Sequence, residues 1–323
     1  MAKNRYAVLT VDTEALPKRA SQNHVQRLMW GSFANGRAGV REMAEIGNEF
    51  AVKHVFFTDL CATWNSQEEA LEVVRWLAAD GQDVQLHTHP EYLPDGFWVS
   101  HQLPLRPVYM NQYTDDARAS VVIDYFSDLL SKQTGKRILA HRAGSFRWNA
   151  CTIRALQAAL IPLSFNNSMS ALHAGQSVYA EATNQPFVWS NGVIEIPMTE
   201  KKILPKVGKD EWWARLTYPE SSYFRFRPWW GSVSFNLFSG SPDLSIFLLH
   251  SWSLLHWDEN GYACYRDDAR TEGYRKLLAR LTKDYDVITT PELLDLYQKG
   301  EINATHTVDI SAAEFGPGKK KAK

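Results

Sequence analysis

Short apolar runs alternate with amphipathic segments along most of this chain, and this alternation restricts its fold more than any other feature. Strand-like runs are predicted at 6–11, 54–58, 84–87, 138–141, 163–165, 193–197, 244–249 and 286–289. Several pairs of neighbouring runs are separated by a segment with apolar residues at helical spacing. Strand, helix and strand in succession are typical of parallel sheets. The sequence therefore predicts an α/β fold, and its 323 residues fit one large barrel-like domain.

Helices are predicted over 37–50, 66–80, 114–134, 149–159, 270–281 and 291–299. Ser66 and Glu69 have the spacing of a capping box, and Gly135 is a typical residue at a helix end. An irregular, aromatic-rich insertion is predicted between Pro197 and Ser241. We assign 1–310 to a single domain and 311–323, with its lysine run, to a flexible basic tail.

The overall charge excludes some classes of partner. A net charge of −1 gives no electrostatic basis for binding nucleic acid or an anionic membrane surface. The three cysteines are widely spaced and include no CxxC pair, which argues against a disulfide framework. No apolar stretch reaches membrane-spanning length, and no signal-like segment precedes the first strand. We expect a cytoplasmic protein, with its oligomeric state left open.

Polar side chains suited to catalysis occur repeatedly where apolar runs end. These residues are Asp12, Glu14, His87, His89, Arg142 and His250. The carboxyl ends of parallel strands meet at one face of the sheet, so we expect these groups to lie close together. Taken singly, each has an ordinary alternative, such as a loop cap, a surface ion pair or a buried core histidine. Their recurrence at four strand ends favours a common site.

The two-residue spacings within this set have a chemical meaning. Alternate residues of an extended chain share a face, so His87 and His89 can direct their imidazoles at one point. Neutral imidazoles are usual zinc ligands. Asp12 and Glu14 also share a face, and two neighbouring carboxylates cannot both remain free anions at low cost. A metal on one carboxylate and Arg142 near the other would resolve this conflict.

In this order, the motifs resemble those of the polysaccharide deacetylases with NodB homology, over about residues 6–296. Thr10-Val11-Asp12-Thr13-Glu14 resembles the first family motif, and His87 and His89 resemble the second. Arg142-Ala143-Gly144-Ser145-Phe146 is similar to the third, and Leu248-Leu249-His250 to the last. The resemblance implies a distorted (β/α) barrel of about seven parallel strands.

The resemblance also implies roles for these residues. Asp12 corresponds to the general base, Arg142 to the arginine that steadies it, and His250 to the general acid. Glu14, His87 and His89 would hold one divalent metal, with zinc expected and cobalt, nickel or manganese as alternatives. The implied substrate is an acetylated sugar or polysaccharide precursor. The traits resemble a branch associated with surface-polysaccharide (O-antigen) synthesis, the WbmS type.

Substrate contacts are expected from the third motif and from tryptophans beside the motifs, which could stack on sugar rings. These residues are Ser145, Phe146, Trp148 and Trp252, with Trp98 and Trp257 as further candidates.

Departures from the family pattern leave alternatives open. The close spacing of the two histidines leaves open whether Glu91 or His101 is a ligand. Asn166-Asn167-Ser168 stands where the family carries an aspartate that tunes the acid histidine. Two other functions remain: a hydrolase of a non-sugar amide on the same barrel, and a catalytically weak or inactive carbohydrate-binding or assembly protein.

Overall fold

The structure is a computed structural model that describes residues 5–203, 212–219 and 243–315. Its strands are β1 (Tyr6–Thr13), β2 (Ser32–Phe33), β3 (Gly36–Arg37), β4 (Val55–Asp59), β5 (Asp83–Thr88), β6 (Ala140–Ala143), β7 (Leu163–Ser164), β8 (Phe187–Trp189), β9 (Ile194–Glu195), β10 (Glu200–Ile203), β11 (Trp212–Arg215), β12 (Leu244–His250), β13 (Leu255–Trp257), β14 (Ala263–Arg266), β15 (Asp286–Val287) and β16 (Thr307–Val308). Its α-helices are α1 (Val40–Glu49), α2 (Gln67–Ala79), α3 (Asp95–Ser100), α4 (Asp116–Thr134), α5 (Ala150–Ala158), α6 (Met169–His173), α7 (Asp268–Asp284) and α8 (Thr290–Gln298).

Seven parallel strands form the centre of the fold, in the order β12-β1-β4-β5-β6-β7-β9. Beyond β9 the sheet continues through antiparallel β8 to β16, and β15 pairs with the start of β1. Each of the eight predicted runs contains a strand. The prediction of a distorted (β/α) barrel of about seven parallel strands is therefore confirmed.

The gap between β9 and β12 is bridged by irregular chain. The amide of Ile246 donates to Oγ1 of Thr199 (2.8 Å), and the amide of Leu216 donates to the Thr199 carbonyl (2.8 Å). The amide of Leu248 in turn donates to the Leu216 carbonyl (3.0 Å). Thr199 and Leu216 thus connect β12 to the chain that follows β9, through single hydrogen bonds instead of continuous strand pairing.

Side chains of β1 are buried on both faces, and the two faces serve different cores. Leu9 and Val11 pack with the residues of the surrounding helices. Tyr6 and Val8 pack with side chains of β4, β6, β7 and β12 in the barrel interior. Because alternate residues share a face, Asp12 extends the interior row of β1 at its carboxyl end.

All six predicted helices are present, but the sequence signals for their ends were not equally reliable. Gly135 adopts a left-handed φ of 66° at the end of α4, and Asn149 forms a capping box at α5. The predicted capping box at Ser66 is wrong. Ser66 ends a 3₁₀ turn that runs directly into α2, its amide already bonds the Thr63 carbonyl, and its side chain makes no capping bond.

The predicted insertion and tail lie partly outside the described residues. Strands β10 and β11 pair antiparallel within the insertion. Its aromatic residues Tyr223, Phe224, Phe226, Trp229 and Trp230, and the lysines 319–321, fall outside the described ranges. The described chain remains packed as far as Ala313, which is buried. Among the described helices, none is long and apolar enough to cross a bilayer.

Candidate active site

The predicted residues converge at the carboxyl end of the parallel strands. Glu14 lies at the centre, with Oε1 3.3 Å from Nε2 of His87 and Oε2 3.4 Å from Nε2 of His89. Nε2 of His250 lies 3.8 Å from Oε1 of the same carboxylate. Asp12 and His250 are paired residues in the β1–β12 register. Three strands, β1, β5 and β12, thus bring together groups that are up to 238 positions apart in the chain.

The imidazoles of His87 and His89 suit a divalent cation. Both rings are buried, and Nε2 of each has no hydrogen-bond partner among the described residues. Leaving buried polar nitrogen atoms unsatisfied is costly, so two of them beside one carboxylate indicate that a ligand completes the site. A Glu-His-His set is one that zinc accepts.

Acidic neighbours control the charge of this group. Burial acts to lower the pKa of the His89 imidazole, but Glu14, Glu91 and Asp59 surround it, and their net effect raises that pKa well above its usual value. Burial acts to raise the pKa of Glu14, but His89 and His87 outweigh it and the pKa is well lowered. Glu14 is therefore ionised, and its negative charge favours a cation between it and the two histidines.

Two further carboxylates fix the orientation of His89. Nδ1 of His89 donates to Oε1 of Glu91 (2.9 Å), which directs Nε2 toward Glu14. The backbone amide of His89 donates to Oδ1 of Asp59 (3.0 Å), at the end of β4. Glu91 thus acts as an orienting partner of a histidine. His101 instead donates from Nδ1 to the Phe97 carbonyl. It does not belong to the possible ligand sets Glu14, His87, His89 and Asp12, Glu14, His250.

Asp12 is held by a buried arginine. Nη1 of Arg142 donates to Oδ1 of Asp12 (2.6 Å), and Nη2 donates to Oγ1 of Thr10 (2.9 Å). The guanidinium is fully buried and lies 4.4 Å from the ring centroid of Phe57. These contacts leave Arg142 little freedom to move and keep Asp12 beside Glu14.

His250 forms the more open side of the site. Its side chain is 36% exposed, and its ring stacks on Trp252 with 5.1 Å between centroids. Burial lowers the pKa of His250, although Glu14 and Asp12 act to raise it. Asn166 makes no hydrogen bond to His250: its Oδ1 accepts from the Ala143 amide (2.7 Å), so it supports β6 rather than tuning the histidine.

A strained turn follows Arg142. Ser145 and Phe146 have φ values of 51° and 54°, in the left-handed region that side chains other than glycine rarely adopt. Such strain persists only where the surroundings hold it, and it is common at functional sites. Both residues line a pocket of about 180 Å³ that also reaches Asp12, Glu14 and His250.

The predicted tryptophans divide into two groups. Trp252 lines the pocket, but Trp148 does not. Trp148 is fully buried and packs edge-on against Trp189, with centroids 5.6 Å apart, which corrects the expectation that its ring could stack on a sugar. Trp98 is likewise buried, beneath the guanidinium of Arg118.

Several residues of the site were missed from the sequence. Asp59 follows a strand-like run and could have been found by the same rule as Asp12. Arg215, Gln176, Lys18 and Arg19 also line the pocket. They come from a 3₁₀ turn, a loop and a short strand of the insertion, so no local pattern identifies them.

No family model matches this sequence, and no curated protein matches it. Among solved structures, the fold is similar to a protein described as a polysaccharide deacetylase from Mycobacterium smegmatis, at 12% identity and TM-score 0.55, covering 94% of this chain and 93% of that one. It is also similar to 4-alpha-glucanotransferase from Thermococcus litoralis, at 15% identity and TM-score 0.56, covering 95% of this chain and 42% of that one. At these identities, the similarities establish the fold.

Proposed function

We propose that this protein is a metal-dependent hydrolase that removes an N-acetyl group from a sugar of a surface polysaccharide, of the O-antigen type, or from its precursor. The main support is one arrangement: two buried imidazole nitrogens that make no hydrogen bond within the described part of the chain lie 3.3 and 3.4 Å from the Glu14 carboxylate, beside the Asp12–Arg142 pair and the pocket-facing His250. The protein from Mycobacterium smegmatis that is described as a polysaccharide deacetylase has a similar fold and adds support. The three cysteines are free, which supports a cytoplasmic location.

Glu14, His87 and His89 would hold the metal, with zinc favoured by the nitrogen-rich ligand set and cobalt, nickel or manganese as alternatives. A divalent metal supplies Lewis-acid chemistry at such a site, polarising the acetyl carbonyl and making a water more acidic.

The chain's own groups would carry the protons. Asp12, fixed by Arg142, accepts the proton of the attacking water, and His250 then donates a proton to the nitrogen of the leaving amine. Backbone N–H groups of the Ser145–Phe146 turn would stabilise the oxyanion, an effect worth about 3–4 kcal/mol per donor. Trp252, which also holds the His250 ring, is the candidate for stacking on the sugar.

The decisive variant is Asp12→Asn, which keeps the shape of the side chain and an oxygen for Arg142 but removes the base. We expect acetate release from N-acetylated sugars to be abolished while zinc remains near one per chain by elemental analysis. Asp128→Asn is the matched control, because it removes an exposed carboxylate from α4. Acetate release by Asp12→Asn at the wild-type rate would overturn the base assignment.

The metal assignment has its own test. Replacing His87 and His89 together by alanine should eliminate bound zinc, and an unchanged zinc content would place the metal elsewhere. A protein that binds zinc but releases no acetate from any N-acetylated sugar or nucleotide sugar would instead be a carbohydrate-binding or assembly protein. Activity restricted to non-sugar amides would favour the other alternative.

A further inference from the structure

The pocket carries more positive charge than the proposed reaction needs. Its two acidic residues already have cationic or imidazole partners, because Asp12 binds Arg142 and Glu14 lies between two histidines. Among its basic residues, Arg215 is neutralised by Glu200 at 3.1 Å. Lys18 and Arg19 remain, and neither has an ion-pair partner among the described residues.

Arg19 differs from an ordinary solvated surface cation. Its guanidinium carbon lies 5.5 Å from the ring centroid of Trp257, so part of the group rests on an aromatic side chain. Its Nε is buried and has no hydrogen-bond partner in the described part of the chain. Its Nη1 lies beside the turn between β13 and β14. A Cβ atom built at Gly261 in this turn would be 3.6 Å from Nη1. The guanidinium is therefore positioned before any ligand arrives.

An N-acetylated sugar without a charged substituent offers these two cations hydroxyl groups but no negative charge. The pocket volume of about 180 Å³ is smaller than the roughly 300–1,000 Å³ typical of ligand pockets, so it suits about one sugar ring. Lys18 and Arg19 follow Glu14 in the same loop and line the same pocket, so they would face a substituent of that ring or a group attached directly to it.

We propose that the substrate carries an anionic group, a carboxylate or a phosphate, on or next to the acetylated sugar ring, and that Lys18 and Arg19 bind it. Arginine recognises both anions through paired N–H donors, and lysine adds a point charge. This inference rests on the proposed deacetylase function and names the substrate class for the same pocket.

The test compares three compounds that share one acetylated ring: N-acetylglucosamine, its 1-phosphate and the corresponding uronic acid, with the galacto series in parallel. We expect kcat/KM for acetate release to be about tenfold to a hundredfold higher for at least one anionic compound than for the neutral sugar. The preferred compound distinguishes phosphate from carboxylate. Raising the salt concentration should reduce this ratio.

Arg19→Gln and Lys18→Gln should each lower the ratio of anionic to neutral kcat/KM by about tenfold. Because the ratio is measured within one variant, a general loss of activity does not change it. Arg280→Gln removes an exposed positive charge from α7, outside the pocket, and should leave the ratio unchanged. Lys18 is exposed, so its substitution tests the proposal even if Arg19→Gln fails to fold.

The outcomes separate the two proposals. Equal kcat/KM for neutral and anionic compounds in the wild-type protein would overturn the role of Lys18 and Arg19. A preference that survives both substitutions would do the same, and either result would leave the proposed deacetylase function standing. Absence of acetate from every compound would overturn the proposed function, and the substrate inference with it.

Discussion

Gly144 offers a sharp test of the candidate metal site, because it lies directly against the ring of His89. A Cβ built at Gly144 would lie 2.4 Å from Nδ1 of His89 and 2.5 Å from its Cγ and Cε1. Ordinary contacts between such atoms are about 3.5 Å, so Gly144→Ala requires the ring to move by about 1 Å. The added methyl group carries no charge and contacts the ring, not a ligating atom.

The size of this displacement sets the expected effect. Zinc–nitrogen distances are about 2.0–2.1 Å, and a ligand displaced by much more than ~0.2 Å no longer fits. His89 cannot follow freely, because Nδ1 is bonded to Glu91 at 2.9 Å and its backbone amide to Asp59. We expect the affinity for zinc to fall by about tenfold to a hundredfold, the range found when groups supporting a ligand are altered. Overpacking should lower the free energy of unfolding by about 1–3 kcal/mol.

Calorimetric titration of the metal-free protein with zinc measures this effect, and Gly96→Ala is the matched control. A Cβ at Gly96, in α3, would meet nothing within 4 Å. The control should bind zinc like the wild type and be slightly more stable, since alanine favours a helix over glycine. Wild-type zinc affinity in Gly144→Ala would refute the assignment of His89 as a ligand held in this position.

Three other predictions concern the surroundings of the site and the fold. Glu91→Gln should weaken zinc binding by about tenfold or more, because an amide holds the His89 ring less firmly than a carboxylate, and the same titration measures it. Ser145→Gly should raise the free energy of unfolding by about 1 kcal/mol by relieving its positive φ, as should Leu160→Gly, an exposed residue with φ 58°; denaturant unfolding of both checks whether the strain is real. Burial lowers the pKa of His54 to about 3, so this histidine is neutral in the folded state and protonates near pH 6.5 when unfolded. Unfolding should therefore become easier as the pH falls from about 6.5 toward 3, by up to roughly 5 kcal/mol, and His54→Gln should remove that part of the slope in pH-dependent unfolding.

The centre of the fold and the core of the site could be predicted from the sequence for one physical reason. Apolar runs buried on both faces identify parallel strands, and the chemistry of such folds lies where those strands end. The β1–β12 register shows the result, because it places Asp12 opposite His250 across 238 positions of sequence. Two-residue spacing was informative for the same reason, since it set His87 and His89 on one side of an extended chain.

Other features depended on contacts that no local pattern records. Trp148 stands two residues beyond a motif residue, yet its indole is directed into the core against Trp189. Ser66 has the spacing of a cap, but the preceding turn already satisfies its amide. Arg19 and Arg215 reach the pocket from a 3₁₀ turn and a short strand of the insertion, and their positions are fixed only by the packed fold. Proximity in sequence to a motif was therefore a poor guide to proximity in space.

The fold alone leaves two chemistries open, since one of the similar structures described above is a deacetylase by its description and the other a glucanotransferase. The side chains distinguish them. Cleavage of a glycosidic bond generally uses two carboxyl groups, one of which has a raised pKa and acts as an acid. Here the pKa of Glu14 is well lowered by His89 and His87, so Glu14 is not suited to donate a proton, and Oδ1 of Asp12 already accepts a hydrogen bond from Arg142. A glycosidase would also have no use for two buried imidazole nitrogens that face a carboxylate without a hydrogen bond. The same groups form a coherent set for amide hydrolysis, with a ligand triad, a positioned base and a histidine acid, and this favours deacetylation over glycosyl transfer.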